Sequence, residues 1–233
     1  MKATAFTILH ILSIHVNFPS RSDVPREASA RGTDSRLMPQ ISQTHWRVFC
    51  AIDLPGEVKS RVAAHIASLR ARFPKVRASW ERPEKLHLTL KFLGDVEISR
   101  VEEFSRAAEG AASSFEPFKL AVAEAGAFPP HGSPRVLWLG IEDAAGRLSG
   151  LQRSLEDVCH VAGFEREGRP FKPHLTVARI RTPHGARELA DAHRETSFEP
   201  QTFIVSELVI IRSEMGPGGS RYTPVSRHPF LRM

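Results

Sequence analysis

Cysteine is nearly absent from this 233-residue chain: Cys50 and Cys159 stand alone, with no C-x-x-C pair and no spaced framework of thiols. That excludes a disulfide scaffold and a paired-cysteine metal site, and it fits buried thiols in a reducing compartment. The eleven histidines include no H-E-x-x-H string, so the commonest zinc-hydrolase pattern is missing too. Long apolar runs are also lacking. The one from Ala3 to Phe18 is interrupted by His10, Ser13 and His15, and nothing reads as a membrane span. What is present is the composition of a soluble domain, 41% hydrophobic and 25% charged, enough to bury a core as one domain or as two small lobes. The formal charge of +6 favours an anionic partner, with nucleic acid the obvious candidate.

The first 45 residues differ in character from the rest. Ala28-Ser29-Ala30 has the look of a cleavage site, but it follows Arg21, Asp23, Arg26 and Glu27 and lies well beyond the apolar run, a poor layout for a signal peptide. The Ser-, Arg-, Pro- and Asp-rich stretch 20–43 reads as a disordered lead, and Met38 is a candidate translation start. The folded unit is expected to span 46–233.

One segment occurs twice. His87-Leu88-Thr89-Leu90-Lys91-Phe92 returns 87 positions later as His174-Leu175-Thr176-Val177-Ala178-Arg179. In a strand, successive side chains point to opposite faces, so each imidazole shares a face with the hydroxyl two residues on, while the Leu between them points into a core. If the two strands lie side by side, two histidines and two threonines converge on one cleft, without a carboxylate or a thiol. Such a set suits a phosphate ester. Opening a cyclic phosphodiester requires water to lose a proton as it attacks phosphorus, while the departing ribose oxygen gains one on the other side. With an ordinary pKa near 6.5, one histidine can serve as base and another as acid, each worth about 10²- to 10⁴-fold. Thr89 and Thr176 can each donate a hydrogen bond to a phosphoryl oxygen. Symmetric motifs do not say which histidine is the acid.

The remaining pattern interleaves strands and helices. Trp46 to Asp53 reads as a strand, followed by a helix that starts at Pro55 and runs through Val58, Val62, Ile66 and Leu69. Leu86 to Leu93 is the first histidine strand, broken at Gly94-Asp95, and Val101, Phe104 and Ala108 mark the next helix. Strands are expected over 118–125 and 135–141, on either side of the Pro-rich loop 128–134. A helix through Leu148, Leu151, Leu155 and Val158 precedes the second histidine strand, 175–180, and a polar helix, 185–194, follows it. A single strand over 203–211 turns at Gly216-Pro217-Gly218-Gly219 into a hairpin partner around Tyr222. The expected fold is α+β and bilobal: two similar halves of the chain, each an antiparallel sheet with outer helices, and a cleft between them.

These motifs resemble the two-histidine phosphoesterase superfamily and, within it, the bacterial RNA 2',3'-cyclic phosphodiesterase family, historically called 2'-5' RNA ligase. The resemblance rests on both His-x-Thr strings, on Arg47-Val48-Phe49-Cys50-Ala51-Ile52-Asp53-Leu54-Pro55, on Phe128-Pro129 with Pro134-Arg135-Val136-Leu137-Trp138, and on the tail around Ser213-Glu214-Met215-Gly216 and Tyr222. It implies a pseudo-two-fold bilobal fold and hydrolysis of RNA 2',3'-cyclic phosphate ends to 2'-phosphomonoesters. It assigns His87 as proton donor and His174 as proton acceptor, and it implies reversible 2'-5' ligation without ATP. It implies no metal and no other cofactor, and a cytoplasmic monomer whose partner is RNA with a cyclic phosphate end. Arg179 stands where similar enzymes carry a phosphate-contacting arginine, although simple alternation puts it off the face of His174 unless the strand bends. By the same alternation Lys91 is a cleft-rim charge and Phe92 a core residue. Arg135 and Trp138 are weaker candidates for substrate contact, and His131 and Tyr222 are rim residues. Two alternatives stay open: a phosphodiesterase of small cyclic nucleotides or of ADP-ribose cyclic phosphate, and an RNA- or nucleotide-binding module without turnover.

Overall fold

The computed structural model describes residues 44–217 and 219–231. The expectations for the leading segment, including a start at Met38, therefore fall outside the described residues, except that His45 already belongs to the first strand. Nine strands and four helices are described: β1 His45–Asp53, α1 Gly56–Arg72, β2 Ala78–Trp80, β3 His87–Glu97, α2 Ile98–Ala112, β4 Phe118–Phe128, β5 Val136–Glu142, α3 Arg147–Val161, β6 His174–Ile180, α4 Ala186–Glu195, β7 Gln201–Val205, β8 Glu207–Gly216 and β9 Gly219–Pro229.

The helices follow from their apolar spacing. In α1 the buried Val58, Val62, Ile66 and Leu69 form one stripe, and in α3 Leu148, Leu151, Leu155 and Cys159 do the same. The strands form two antiparallel sheets, ordered β3-β1-β8-β9 and β2-β6-β5-β4-β7. α2 and α3 back the first sheet, whereas α1 and α4 back the second. One apolar core runs through both, joining Leu88 and Val48 of the first sheet to Leu175 and Leu139 of the second. The architecture is α+β, as the sequence implies. Among the described residues no helix is long and apolar enough to cross a membrane.

Three sequence expectations need correcting. The lobes are not successive halves of the chain. The four-stranded sheet combines β1 and β3 with β8 and β9 from the C-terminus, while β2 and α1 from the N-terminal portion belong to the five-stranded lobe. The expected strand 203–211 is two strands in different sheets, β7 on β4 and β8 on β1. The chain crosses at Ser206, where only the polar pair Ser206-Glu207 interrupts two apolar runs, with Val205 and Leu208 buried on either side. Finally, Gly94 does not end β3: its φ of +72° accommodates a bulge, and the strand continues to Glu97. The three-residue edge strand β2 is too short to have left a periodic signal.

Candidate active site

Each histidine stands at the first residue of its strand, β3 or β6, and the two strands come into contact where the sheets meet. In both, the residue two before the histidine is a lysine whose backbone carbonyl meets the ring. His87 Nδ1 lies 2.6 Å from Lys85 O, and His174 Nδ1 lies 2.7 Å from Lys172 O. A carbonyl can only accept, so Nδ1 carries the proton in both rings, and Nε2 is the nitrogen whose protonation can change. Thr89 and Thr176 share the half-buried face of their histidines, with Leu88 and Leu175 buried behind. Among the described residues neither threonine hydroxyl has a hydrogen-bond partner, so both donors are available.

Both strands then break alternation at the same place. Cys50 pairs with Lys91 and Ala51 with Thr89, leaving Leu90 unmatched; Leu137 pairs with Ala178 and Trp138 with Thr176, leaving Val177 unmatched. The extra residue reverses parity beyond it. Leu90 and Lys91 are consecutively buried, as are Val177 and Ala178, and the fifth residue after each histidine, Phe92 or Arg179, is exposed.

This bulge overturns two sequence expectations and supplies the bend that a third required. Lys91 is not at the rim. Its ammonium is buried, 2.7 Å from Glu156 Oε2 and 2.8 Å from Glu165 O, tying β3 to α3. Phe92 is not core: it is 43% exposed, lies 6.3 Å from the Phe49 ring, and carries the Arg47 guanidinium 4.9 Å over its face. Arg179 is turned toward the cleft, where its charge acts on His174 and, from the other sheet, on Tyr222.

The surroundings of the two rings differ. His87 packs against Phe49, centroids 4.8 Å apart, and meets the edge of Tyr222 at 5.2 Å. Opposite it in register is Asp53, whose Oδ1 accepts from Lys59 Nζ at 2.6 Å. A cavity of about 70 Å³ adjoins this ring, bounded by Asp53, Lys85, Tyr222 and Arg227. His174 meets the edge of Phe128 at 5.3 Å, and Phe128 in turn packs on Trp138. Trp138 needs a glycine across the ladder, because a Cβ on Gly126 would stand 2.1 Å from the indole. Its backbone carbonyl accepts from His193 Nε2 at 2.9 Å, and His193 Nδ1 lies 3.0 Å from His65 Nε2. Burial keeps that lower pair neutral, with His65 lowered to about 4.

Burial pushes both cleft imidazoles below the ordinary histidine pKa, and the bonds to Lys85 O and Lys172 O work against it. The charged neighbours then diverge. Asp53 favours the cation at His87, partly offset by Lys59, whereas Arg179 disfavours it at His174. Glu81, just beyond β2, is raised by burial despite Lys85 and Arg179 nearby. Phe49, Asp53 and Phe128 lie in strings that carry the resemblance and Glu81 does not, but only the sheet pairing brings the four to the histidines. Arg135 and His131 are exposed, and Tyr222 lies directly on His87 rather than at a remote rim.

Residues 52–138 and 139–222 each match the family model described as LigT like Phosphoesterase, so the model falls once on each histidine motif. The chain is 35% identical over 178 residues to an RNA 2',3'-cyclic phosphodiesterase of Methanothermobacter thermautotrophicus, covering 76% of this chain and 95% of the relative. It is 30% identical to that of Escherichia coli, over 78% and 94%. The crystal structure of E. coli LigT complexed with 3'-AMP superposes with a TM-score of 0.60 at 29% identity, covering 81% of this chain and 99% of that one. The chain belongs to the LigT-like phosphoesterase family. In this LigT-like protein no three His, Cys, Asp or Glu side chains among the described residues gather as a metal-binding cluster.

Proposed function

We propose that this LigT-like protein hydrolyses RNA 2',3'-cyclic phosphate ends to 2'-phosphomonoesters with its own side chains. The observation that carries the reading is the pair of imidazoles, each anchored through Nδ1–H to the carbonyl two residues earlier and each followed by an unpartnered threonine hydroxyl. His174 Nε2 takes a proton from water as its oxygen bonds to phosphorus. The bond from phosphorus to the 3' oxygen breaks, and that oxygen receives the proton held by His87 Nε2, leaving a 2'-phosphate and a 3'-hydroxyl. Thr89, Thr176 and Arg179 hold the phosphoryl oxygens. The opposite charged neighbours support this division, since Asp53 favours a protonated His87 and Arg179 a neutral His174. The relatives' name, RNA 2',3'-cyclic phosphodiesterase, agrees with it. With a 5'-hydroxyl RNA end in place of water as the nucleophile, the same P–O3' cleavage joins two ends by a 2'-5' bond, reversibly and without ATP. The buried thiols of Cys50 and Cys159, both raised by desolvation, suit a reducing, cytoplasmic setting.

The test is to incubate the protein, with chelator present, with an oligoribonucleotide ending in a 2',3'-cyclic phosphate and to identify the monophosphate formed. A 2'-phosphate is expected. A 3'-phosphate would overturn the donor and acceptor assignment, and RNA binding without conversion would leave a binding module.

A further inference from the structure

Apart from the histidine cleft, the described residues form a groove of about 530 Å³ between the C-terminal end of α1 and the edge strand β2. Its walls carry three arginines, Arg70, Arg77 and Arg181, and two half-buried aromatic rings, Phe73 and Trp80, with no carboxylate among the lining residues. Arg181 is held by a 2.8 Å bond from its Nε to Ser79 Oγ. The side chains of Arg70 and Arg77 are exposed and have no hydrogen bond or ion pair among the described residues. Unneutralised guanidinium groups around flat apolar rings suit a ligand with regularly spaced anions and π-faces, which is single-stranded nucleic acid.

The groove also adjoins the cleft. Trp80, at its end, pairs with Ala178 of the second histidine strand. The next residue, Glu81, lies in the field of Arg179, Lys85 and Tyr222. Arg181, the residue just past the end of β6, follows Arg179 by two residues, about 7 Å along the extended chain. We propose that this groove is the track for the body of the RNA whose cyclic end occupies the cleft: Arg70, Arg77 and Arg181 take backbone phosphates, and Trp80 stacks on a base. The inference rests on the cleft being an RNA-end site, and it assigns the protein a preference for oligonucleotide over mononucleotide substrates.

Two measurements on wild type and on Arg70→Gln/Arg77→Gln test it. The first is the affinity for a labelled oligoribonucleotide of about eight nucleotides with a plain 3'-hydroxyl, which cannot react, followed by fluorescence anisotropy across a salt series. The double variant is expected to bind at least about tenfold more weakly, with a salt dependence shallower by roughly 1.4, since each phosphate contact on a single strand contributes about 0.7. The second is turnover of the same oligonucleotide carrying a 2',3'-cyclic phosphate, set against a 2',3'-cyclic mononucleotide. KM for the oligonucleotide should rise by a similar factor, while the mononucleotide, too short to reach the groove, is turned over as before. Equal affinity and equal salt slope in the two proteins would overturn the groove, whatever the turnover. Weakened binding with no turnover of either substrate by wild type would instead leave the groove standing and sink the proposed hydrolysis.

Discussion

The two half-sites of the cleft are built alike in backbone and unlike in what surrounds it. Both begin at a histidine tied to a lysine carbonyl two residues back, and both place a free threonine hydroxyl two residues on. Both then insert one extra residue, so that the fifth side chain returns to the cleft. There the likeness stops. The returning side chain is Phe92 in one and Arg179 in the other, and the buried residue beneath is Lys91 in one and Ala178 in the other. The repeated backbone fixes where a proton can be exchanged, at Nε2 of each ring. The unrepeated neighbours bias which way it goes, toward the cation beside Asp53 and away from it beside Arg179.

The most forceful way to break this comparison is to remove one ring at a time. His87→Ala and His174→Ala are each expected to lower kcat/KM by at least about 10²-fold, the contribution of a positioned acid or base. They should separate on a substrate whose 3' oxygen is replaced by sulfur, a leaving group that needs no proton. That substitution should restore much of the activity of His87→Ala and little of His174→Ala. Rescue of the second and not the first would exchange the roles.

The difference beneath the strands is testable through stability. Lys91 is a buried cation held by Glu156 and Glu165 O, and Glu156 also accepts from the Glu167 amide at 3.2 Å. Lys91→Ala should cost about 3–5 kcal/mol, because it strands a buried carboxylate, whereas replacing both partners with apolar residues of similar volume, Lys91→Met/Glu156→Leu, should recover most of that. Denaturant titration measures both. A small loss in Lys91→Ala would mean that the pair is solvated. The counterpart Ala178 lies against the core of the other lobe without any such pair.

Lys91, a rim charge by simple alternation and a buried ion-pair partner in the fold, marks where a sequence stops being legible. The repeated His-x-Thr string, the helices and most strands could be read from periodicity, because alternation and helical spacing are local. A bulge is not local: whether Leu90 and Val177 sit opposite a partner depends on the register with β1 and β5. The same blindness hides the crossing at Ser206, where two apolar runs separated only by Ser206-Glu207 serve two sheets. It also hid Asp53 and Phe49, which reach His87 only through strand pairing. The duplication itself points to the bulge, since Phe92 and Arg179 occupy matching places and an arginine does not suit the buried position that strict alternation would give it.

Swapping the returning side chains sharpens the comparison at a smaller scale. Arg179→Ala removes the charged donor proposed to hold the phosphate and should lower kcat/KM by roughly 10- to 100-fold, in keeping with about 1.5–3 kcal/mol for a hydrogen bond to a charged group. Phe92→Ala, at the matching position, should cost only a few-fold. Steady-state kinetics on the same cyclic phosphate substrate decides it, and equal losses would mean that neighbours matter less than place.

The finest test lies in the pH profile of kcat/KM, which reports the free protein's acid and base. Under the proposed mechanism activity requires His174 neutral and His87 protonated, so it should fall on the acid side as His174 gains a proton and on the alkaline side as His87 loses one. Burial lowers both groups, and the maximum is therefore expected on the acid side of neutrality. The neighbours then make opposite predictions. Arg179 holds His174 down, so Arg179→Ala should carry the acidic limb to higher pH and leave the alkaline limb in place. Asp53 holds His87 up, so Asp53→Asn should carry the alkaline limb to lower pH and leave the acidic one. If Arg179→Ala displaced the alkaline limb instead, His174 would be the proton donor, and the asymmetry of the two half-sites would run the other way.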